Sequence, residues 1–193
     1  PYKINKLLRD ADDNLLKQIR SIRENLKFPY DNPRPYQNEA YLAWKRNGYK
    51  GIFAMATGTG KTLTSLYCLI EENKIERKQN NIFVVPGEEL VRQWGEEIKQ
   101  CNFGNVFLWY SKNSKLKSDI DSIKILRNSG KLNIVITYES FKSKTFQSIF
   151  SNLLVHYTII FDEVHNMGAI GFRKTIADLK FNKVIGLSAT PLR

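Results

Sequence analysis

The sequence has few of the residues that hold structural metals or cross-link small domains. It contains two cysteines, Cys68 and Cys101, and two histidines in 193 residues. The cysteines have neither the spacing of a zinc site nor the density of a disulfide framework, which fits a reducing cytoplasm. Because neither cysteine lies in a recognisable motif, we expect both to be buried thiols. The sequence therefore argues against a metal-stabilised or disulfide-stapled domain.

Long apolar runs are also missing. No run of about 18 apolar residues occurs, so a membrane-spanning helix is not expected, and no signal-like segment opens the sequence. We therefore expect a cytoplasmic location and no membrane partner. Hydrophobic residues make up 42% of the chain and charged residues 25%, which is ordinary for a globular domain. At this length we expect one domain with a sizeable core.

Acidic residues are scarce relative to basic ones. The chain has 30 Lys and Arg against 19 Asp and Glu, a formal net charge of +11. Such an excess attracts phosphate polymers through the release of counterions. Between residues 111 and 150, three acidic residues (Asp119, Asp121, Glu139) stand against eight basic ones: Lys112, Lys115, Lys117, Lys124, Arg127, Lys131, Lys142 and Lys144. Two interpretations are equally good here, a solvated lysine-rich face or a nucleic-acid binding surface.

The first 30 residues are set apart from the rest. Apolar residues recur there at intervals of three and four, which predicts an amphipathic helix that ends before Pro29. The turn-rich segment 31–35 that follows is the best candidate for a boundary. We therefore divide the chain into an N-terminal helical appendage (residues 1–30), alternatively the tail of an upstream domain, and a main domain (residues 31–193).

From residue 51 onward, predicted strands alternate with predicted helices. The strands are predicted at 51–56, 81–86, 106–110, 132–137, 157–162 and 183–188, and the helices at 60–72, 88–100, 119–128, 141–154 and 172–179. The strands are continuous apolar runs, which is typical of a mostly parallel sheet with helices on both faces. The predicted fold class is therefore α/β. Ligands of such sheets bind beyond the carboxyl ends of the strands.

A glycine-rich loop joins the first of these strands to its helix. Residues 56–62 read Ala-Thr-Gly-Thr-Gly-Lys-Thr, in the strand–loop–helix setting that a phosphate-binding loop requires. Glycines let backbone N–H groups approach phosphates, and the helix N-terminus favours negative charge. We expect Lys61 to reach the β- and γ-phosphates of ATP, and the Thr62 hydroxyl to bind Mg²⁺. The candidate nucleotide-binding residues of this loop are Thr57, Gly58, Thr59, Gly60, Lys61 and Thr62.

Two adjacent carboxylates, Asp162 and Glu163, lie at the end of the predicted strand at 157–162. With the phosphate loop present, we expect Asp162 to hold Mg²⁺ through water and Glu163 to orient and deprotonate the attacking water. A helix cap or a solvated turn is the structural alternative. His165 is a candidate metal ligand or general base, but a hydrogen-bonding role near the phosphates is the better interpretation.

Six segments, in order along the chain, resemble the first motor domain of superfamily 2 helicases and translocases. They are Arg34-Pro35-Tyr36-Gln37, Met55–Thr62, Val85-Pro86 with Leu90–Trp94, Ile136-Thr137-Tyr138, Asp162–His165 and Leu187–Pro191. The likeness is nearest to the branch of type I and type III restriction motor subunits and XPB-like helicases. It covers about residues 34–193 and implies a RecA-like phosphate-loop ATPase. Val164 stands where Ala is commoner, and Met55 replaces the first Gly or Ala of the loop.

The resemblance implies a role for Gln37 in reading adenine, since a side-chain amide can pair with the N6 and N7 of that base. It also implies that Arg34 and Tyr36 shape the adenine pocket. The alternative for Gln37 is an ordinary glutamine at the start of a helix.

The resemblance further implies that four residues grip the nucleic-acid backbone: Pro86, Arg92, Gln93 and Thr137. Contacts of this kind position a nucleic acid without reading its sequence. Ser188 and Thr190 are expected to couple that track to the nucleotide site through hydrogen bonds with Asp162 and His165. We interpret Trp94 as a core residue, not a base-stacking platform. Trp109 and Tyr110 are predicted to be buried strand residues.

The family supplies a catalytic arginine from a second motor domain, which we expect to lie outside this sequence. Arg193 is not proposed for that role, so this chain by itself should be nearly inactive. The implied function is ATP-driven translocation or unwinding on DNA, in restriction, defence or repair. The alternatives are an RNA helicase and a nucleotide-gated nucleic-acid binding module that does not translocate. A kinase-like enzyme is disfavoured by Ser188-Ala189-Thr190-Pro191.

Overall fold

The computed structural model describes residues 26–76, 78–167 and 181–189. Residues 1–25 of the predicted N-terminal helix and the helix predicted at 172–179 lie outside these ranges, as does Thr190. Residues 26–28, where the N-terminal helix was predicted to end, are not helical. The division of the chain after residue 30 therefore stays a prediction. Within the ranges that the structure describes, no helix is long and apolar enough to cross a membrane.

Helices and strands alternate along the described chain. The strands are β1 (Lys50–Ala54), β2 (Asn80–Val85), β3 (Val106–Trp109), β4 (Asn133–Thr137), β5 (Tyr157–Phe161) and β6 (Lys183–Ser188). The helices are α1 (Pro35–Arg46), α2 (Lys61–Ile75), α3 (Glu88–Gln100), α4 (Leu116–Leu126), α5 (Tyr138–Phe141) and α6 (Lys144–Phe150), with 3₁₀ turns at Leu154–His156 and Val164–Met167. All six strands confirm the sequence prediction within two residues at either end.

Two helical regions differ from the sequence prediction. The single helix predicted at 141–154 is interrupted, because Ser143 caps a new helix there: its hydroxyl accepts a hydrogen bond from the N–H of Phe146 at 3.2 Å. The preceding short helix α5 is capped in the same way by Thr137. Helix α1 was not predicted as an element. It begins with Pro35 at its first position, where the missing N–H of proline costs nothing.

The strands form one parallel sheet in the order β1-β6-β5-β2-β4-β3. Successive strand residues face opposite sides, so Ile82 and Val84 enter one core cluster while Phe83 and Val85 enter the other. Strands β2, β4 and β5 are buried along their whole length, which confirms the prediction of a parallel sheet covered on both faces. Cys68 and Cys101 are buried in the second cluster.

The strand order decides where a functional site can form. Strands β1, β6 and β5 are neighbours, and β2 lies next to β5. Because the sheet is parallel, the loops that leave the carboxyl ends of these strands meet at one edge. Three of the predicted motifs, at 55–62, at 162–165 and in the described part (187–189) of the last one, therefore come together although they are far apart in sequence.

A buried ion pair lies at the opposite edge of the sheet, where β6 begins. Glu72, on α2, is 1% exposed and accepts hydrogen bonds from Lys183 Nζ at 2.9 Å and from the Tyr41 hydroxyl at 3.2 Å. Lys183 Nζ also lies 2.7 Å from Glu76. Burial alone lowers the pKa of Lys183, but its hydrogen bonds to Glu76 and Glu72 outweigh burial and leave that pKa raised. The pair joins α2 and α1 to the first residue of β6.

Replacing Lys183 by Met should lower the free energy of unfolding at pH 7 by about 3–5 kcal/mol, because Glu72 would stay buried without its cation. Since the pKa of Lys183 is raised in the folded chain, this contribution is fully present at pH 7. It is lost only as the pH rises through that raised value. Urea unfolding measures the loss.

Lys74→Met is the matched control for this prediction. Lys74 lies on the same helix and pairs with Glu71 at 2.6 Å, but its side chain is 65% exposed. An exposed pair contributes about 1 kcal/mol or less. Equal losses in the two variants would contradict a stabilising role for the buried pair.

Candidate functional site

The phosphate loop leaves β1 and turns sharply into α2. Gly58 and Gly60 have φ angles of +77° and +86°, a left-handed conformation that side chains disfavour. The N–H and the hydroxyl of Thr59 both donate to the carbonyl of Ala56, at 3.3 and 2.6 Å. Gly60 is the N-cap of α2 and has no side chain to cap it. The N–H groups of the first turn of α2 therefore form a site suited to an anion.

The residues predicted for the adenine pocket lie against this loop. The Tyr36 hydroxyl donates to the carbonyl of Thr59 at 2.7 Å. Gln37, which is 3% exposed, donates through Nε2 to the Thr64 hydroxyl at 3.4 Å and accepts from the N–H of Arg34 at 2.9 Å. The structure therefore brings Arg34, Tyr36 and Gln37 together beside the loop. Each polar end of the Gln37 amide already has one protein partner there.

A cavity of about 330 Å³ adjoins these residues. Its walls include Arg34, Tyr36, Gln37 and the loop residues 58–60, and also Phe28 and Tyr30. Phe28 and Tyr30 were not predicted as site residues, because the sequence analysis assigns them to the N-terminal appendage (residues 1–30). Their rings pack edge to face at 5.8 Å.

Lys61 meets the carboxylate that follows β5. Its Nζ lies 3.4 Å from Glu163 Oε1, across 102 positions of sequence, and Lys61 is 9% exposed. The second oxygen of that carboxylate, Oε2, lies 3.1 Å from His165 Nδ1. Glu163 has a φ angle of +49°. A left-handed conformation in a residue other than glycine stores strain of the kind often found at functional sites.

Asp162 is buried beside this group. Its Oδ2 accepts a hydrogen bond from Trp94 Nε1 at 2.9 Å, and its Oδ1 accepts from the N–H of Glu163 at 2.9 Å. Burial raises the pKa of the Asp162 carboxyl, the hydrogen bond from Trp94 opposes the rise, and the charge of Glu163 adds to it. A carboxylate in such a position favours a nearby cation.

The residues at this edge fit a magnesium-bound nucleotide. The half-buried Thr62 lies in the first turn of α2 and offers a hydroxyl, and Asp162 offers a carboxylate. Oxygen ligands of this kind suit Mg²⁺. The loop N–H groups and Lys61 suit the phosphates. Thr57 and Gly58 are exposed at the tip of the loop.

Of the four residues predicted to contact nucleic acid, Pro86 and Thr137 lie at the carboxyl ends of β2 and β4, and the other two lie on the helix that follows β2. Pro86, Arg92 and Gln93 are exposed, and Arg92 and Gln93 lie on α3. Thr137 is buried, and its hydroxyl caps α5 by accepting from the N–H of Ser140 at 3.2 Å. Contact of these residues with nucleic acid stays a prediction.

The predicted coupling residues are only partly described. Ser188 is buried at the end of β6, and its carbonyl accepts from the N–H of Met55 at the start of the phosphate loop, at 2.9 Å. His165 lies beside Glu163. Because Thr190 falls outside the described residues, the coupling role of these residues stays a prediction.

The prediction for Tyr110 was wrong. Strand β3 ends at Trp109, which is 3% exposed as predicted, whereas Tyr110 lies beyond the strand and is half-buried. Its ring stands under the guanidinium of Arg92, with the Arg92 Cζ 5.2 Å from the ring centroid. A residue just past a strand end has no neighbouring strand to cover it.

Two residues connect the predicted nucleic-acid segments to Asp162, and sequence reasoning missed both contacts. Trp94, on α3, is 1% exposed, which confirms the prediction of a core residue, yet its indole donates to Asp162. Tyr138 follows Thr137, and its hydroxyl donates to the backbone carbonyl of Asp162 at 2.7 Å. Burial raises the pKa of Tyr138. The contact of Trp94 could have been expected in general form from the sequence, because a buried indole N–H needs a hydrogen-bond acceptor.

A parallel α/β sheet with a phosphate loop after β1 and an acidic pair after β5 defines a RecA-like phosphate-loop domain. Residues 31–193 match the model of the family described as type III restriction enzyme, res subunit, and the chain belongs to that family. The predicted resemblance to the first RecA-like motor domain of superfamily 2 is thereby confirmed.

Individual proteins similar to this chain include a curated relative and several solved structures. The chain is 29% identical to the DNA 3'-5' translocase XPB2 of Sulfurisphaera tokodaii, over 96% of this chain and 38% of that protein. Among solved structures, it resembles the Sulfolobus solfataricus SWI2/SNF2 ATPase core in complex with dsDNA, with a TM-score of 0.62, 23% identity and coverage of 86% and 34% of the two chains.

A second similar structure is the type ISP restriction-modification enzyme LlaGI, with a TM-score of 0.61, 24% identity and coverage of 83% and 18%. Both structural likenesses support the RecA-like fold. The chain spans about two fifths of the length of the curated relative.

Trp94→Phe should destabilise the chain at pH 7 by about 1.5–3 kcal/mol in addition to the lost packing, since it removes a hydrogen bond to a charged group. It should also raise the pKa of Asp162 further. The penalty should therefore shrink as the pH falls through the pKa of Asp162, where the carboxyl is neutral. Urea unfolding between pH 4 and 8 measures both effects.

Trp44→Phe is the control for this prediction. Trp44 is equally buried and donates to a neutral acceptor, the carbonyl of Val184, at 2.9 Å. Its penalty should not depend on the protonation of a carboxyl group. If both variants show the same pH dependence, the charged hydrogen bond to Asp162 does not have the role described here.

Proposed function

We propose that this chain is the ATP-binding half of a nucleic-acid-dependent ATPase, a DNA translocase or helicase of the restriction, defence or repair type. The observation that carries the proposal is the 3.4 Å approach of Lys61 Nζ to Glu163 Oε1. A phosphate-loop lysine beside a carboxylate pair places a phosphate-binding group next to a base for water. A relative named as a DNA translocase and a similar ATPase core solved with dsDNA support DNA as the partner.

The nucleotide site works through residues that fit ATP and Mg²⁺. When bound, Mg²⁺ would supply positive charge that offsets the charge of the phosphates. The N–H groups of Gly58 and Gly60 and the Lys61 ammonium would bind the phosphates. Thr62 and Asp162 would hold the metal, Asp162 through water. Arg34 and Gln37 line the pocket for adenine.

Glu163 is the base in this proposal. In the structure its two oxygens face Lys61 and His165. Because Lys61 can pair with either a carboxylate or a phosphate, a bound γ-phosphate competes with Glu163 for Lys61. Glu163 is then free to accept a proton from water, with His165 close to its second oxygen. General-base assistance of this kind contributes about 10²–10⁴ to the rate.

The motor function requires more than this chain. Pro86, Arg92, Gln93 and Thr137 form the nucleic-acid surface, and Ser188, Thr190 and His165 couple it to the nucleotide site. A second motor domain supplies the arginine that stabilises the transition state, an effect of about 10³–10⁵. This chain alone therefore binds ATP but turns it over slowly.

In the full-length protein, Glu163→Gln should leave ATP binding intact and lower DNA-stimulated turnover by about 10²-fold or more, because water loses its base. Steady-state ATPase assays and equilibrium nucleotide binding measure the two effects. Glu96→Gln, on the exposed face of α3, is the control with the same loss of charge. Retained turnover in Glu163→Gln would reassign Glu163 to a structural role.

The same assays, run with duplex DNA, single-stranded DNA and RNA, distinguish the candidate functions. A DNA motor is stimulated by DNA and moves along it. An RNA helicase responds to RNA instead. A nucleotide-gated binding module changes its affinity with nucleotide but shows no displacement of a bound obstacle. Stimulation by RNA alone would overturn the proposal of a DNA motor.

A further inference from the structure

Glu88, at the start of α3, is shared by two cations from different elements. Its Oε2 lies 3.8 Å from Arg92 Nη2, one turn along the same helix, and its Oε1 lies 3.8 Å from Lys112 Nζ, in the loop after β3. The same loop contributes Tyr110, whose ring supports the guanidinium of Arg92 with 5.2 Å between the Cζ and the ring centroid. One carboxylate therefore sits where two basic side chains converge.

The packing of α3 on β3 produces this convergence. A Cβ atom on Gly95 would lie 2.7 Å from Leu108 Cδ2, so glycine leaves room there for the end of the Leu108 side chain between α3 and β3. Arg92 precedes Gly95 by three residues and so lies on the same side of the helix. Tyr110 directly follows the end of β3, and its ring lies under the Arg92 guanidinium.

The ion pairs of Glu88 are weak enough to exchange. The side chains of Arg92 and Lys112 are 56% and 82% exposed, and both distances to Glu88 exceed the range of a hydrogen bond. Exposed pairs contribute little to stability and are screened by salt. An incoming anion with more oxygens than a carboxylate can replace Glu88 at little cost.

We propose that Arg92 and Lys112 form a binding subsite for one phosphate of the DNA backbone, and that Glu88 occupies this subsite when DNA is absent. This inference rests on the proposed function. It adds Lys112 and Tyr110 to the nucleic-acid surface and assigns Glu88 the role of an internal competitor. Tyr110 orients Arg92. A competitor of this kind holds both cations in place for a phosphate. It also limits the affinity for DNA, which suits a surface that must release DNA at each step.

The chain offers a matched pair of variants for the test. Glu88 and Glu89 both lie in the first turn of α3, so replacing either by Gln removes the same charge and the same interaction with the helix dipole. Within the described ranges Glu89 pairs with no cation. The probe is a labelled duplex of about 20 base pairs with no designed sequence, and binding is followed by fluorescence anisotropy between 50 and 200 mM salt.

Glu88→Gln should bind the duplex about two- to tenfold more tightly than wild type, as expected for the release of two exposed ion pairs. Glu89→Gln should increase the affinity for the duplex by less than half as much as Glu88→Gln does. Lys112→Gln should weaken binding and reduce the slope of log affinity against log salt by about 0.9, the value for one phosphate contact. In a chain that carries Arg92→Gln and Lys112→Gln, adding Glu88→Gln should give no gain.

Equal affinities for Glu88→Gln and Glu89→Gln, or a gain that survives the loss of both cations, would overturn the subsite while leaving the proposed function standing. Duplex binding that is absent at 50 mM salt, in a chain that still binds ATP, would overturn both the subsite and the proposed nucleic-acid surface. Tighter binding by Glu88→Gln to RNA but not to duplex DNA would overturn DNA as the occupant.

Discussion

The buried carboxylate of Asp162 is the constraint on which the rest of the site depends. A carboxylate that leaves water needs hydrogen-bond donors, and it receives them from Trp94 on α3 and from the N–H of Glu163. The first donor fixes α3 against the end of β5. The second accompanies the left-handed backbone of Glu163, whose side chain reaches Lys61. One buried charge thus places the helix with the predicted DNA contacts, the acidic pair and the phosphate-loop lysine in fixed relation to one another.

The same contacts join the two halves of the proposed function. Trp94 lies on the helix that carries Arg92 and Gln93, and Tyr138 follows Thr137, so both predicted DNA segments reach Asp162 through a buried hydrogen bond. A shift of α3 when DNA binds would change the environment of the carboxylate proposed to hold the metal. If DNA binding changes the affinity for nucleotide by some factor, nucleotide binding changes the affinity for DNA by the same factor, because the coupling between two binding sites is reciprocal.

The strands and the phosphate loop could be predicted because their signals are local: apolar runs, and glycines before Lys61 and Thr62. The approach of Lys61 to Glu163 followed from the rule that the ends of parallel strands meet. The hydrogen bond from Trp94 to Asp162 could not be predicted, because the acceptor that a buried indole reaches depends on how its helix packs against the sheet. Tyr110 was misassigned because an error of one residue at a strand end turns an expected buried residue into a half-buried one. The interruption of the helix predicted at 141–154 depends on the cap by Ser143.

The most direct test of this account is a calorimetric titration of the chain with Mg²⁺ and ATP, in the wild type and in Lys61→Ala. The wild type should bind and the variant should not, with unchanged circular dichroism, because the phosphates lose their cation while the fold keeps its core. Lys74→Ala, on the exposed end of the same helix, should bind like the wild type. Unchanged affinity in Lys61→Ala would contradict the assignment of the phosphate loop and, with it, the proposal that this chain binds ATP through that loop.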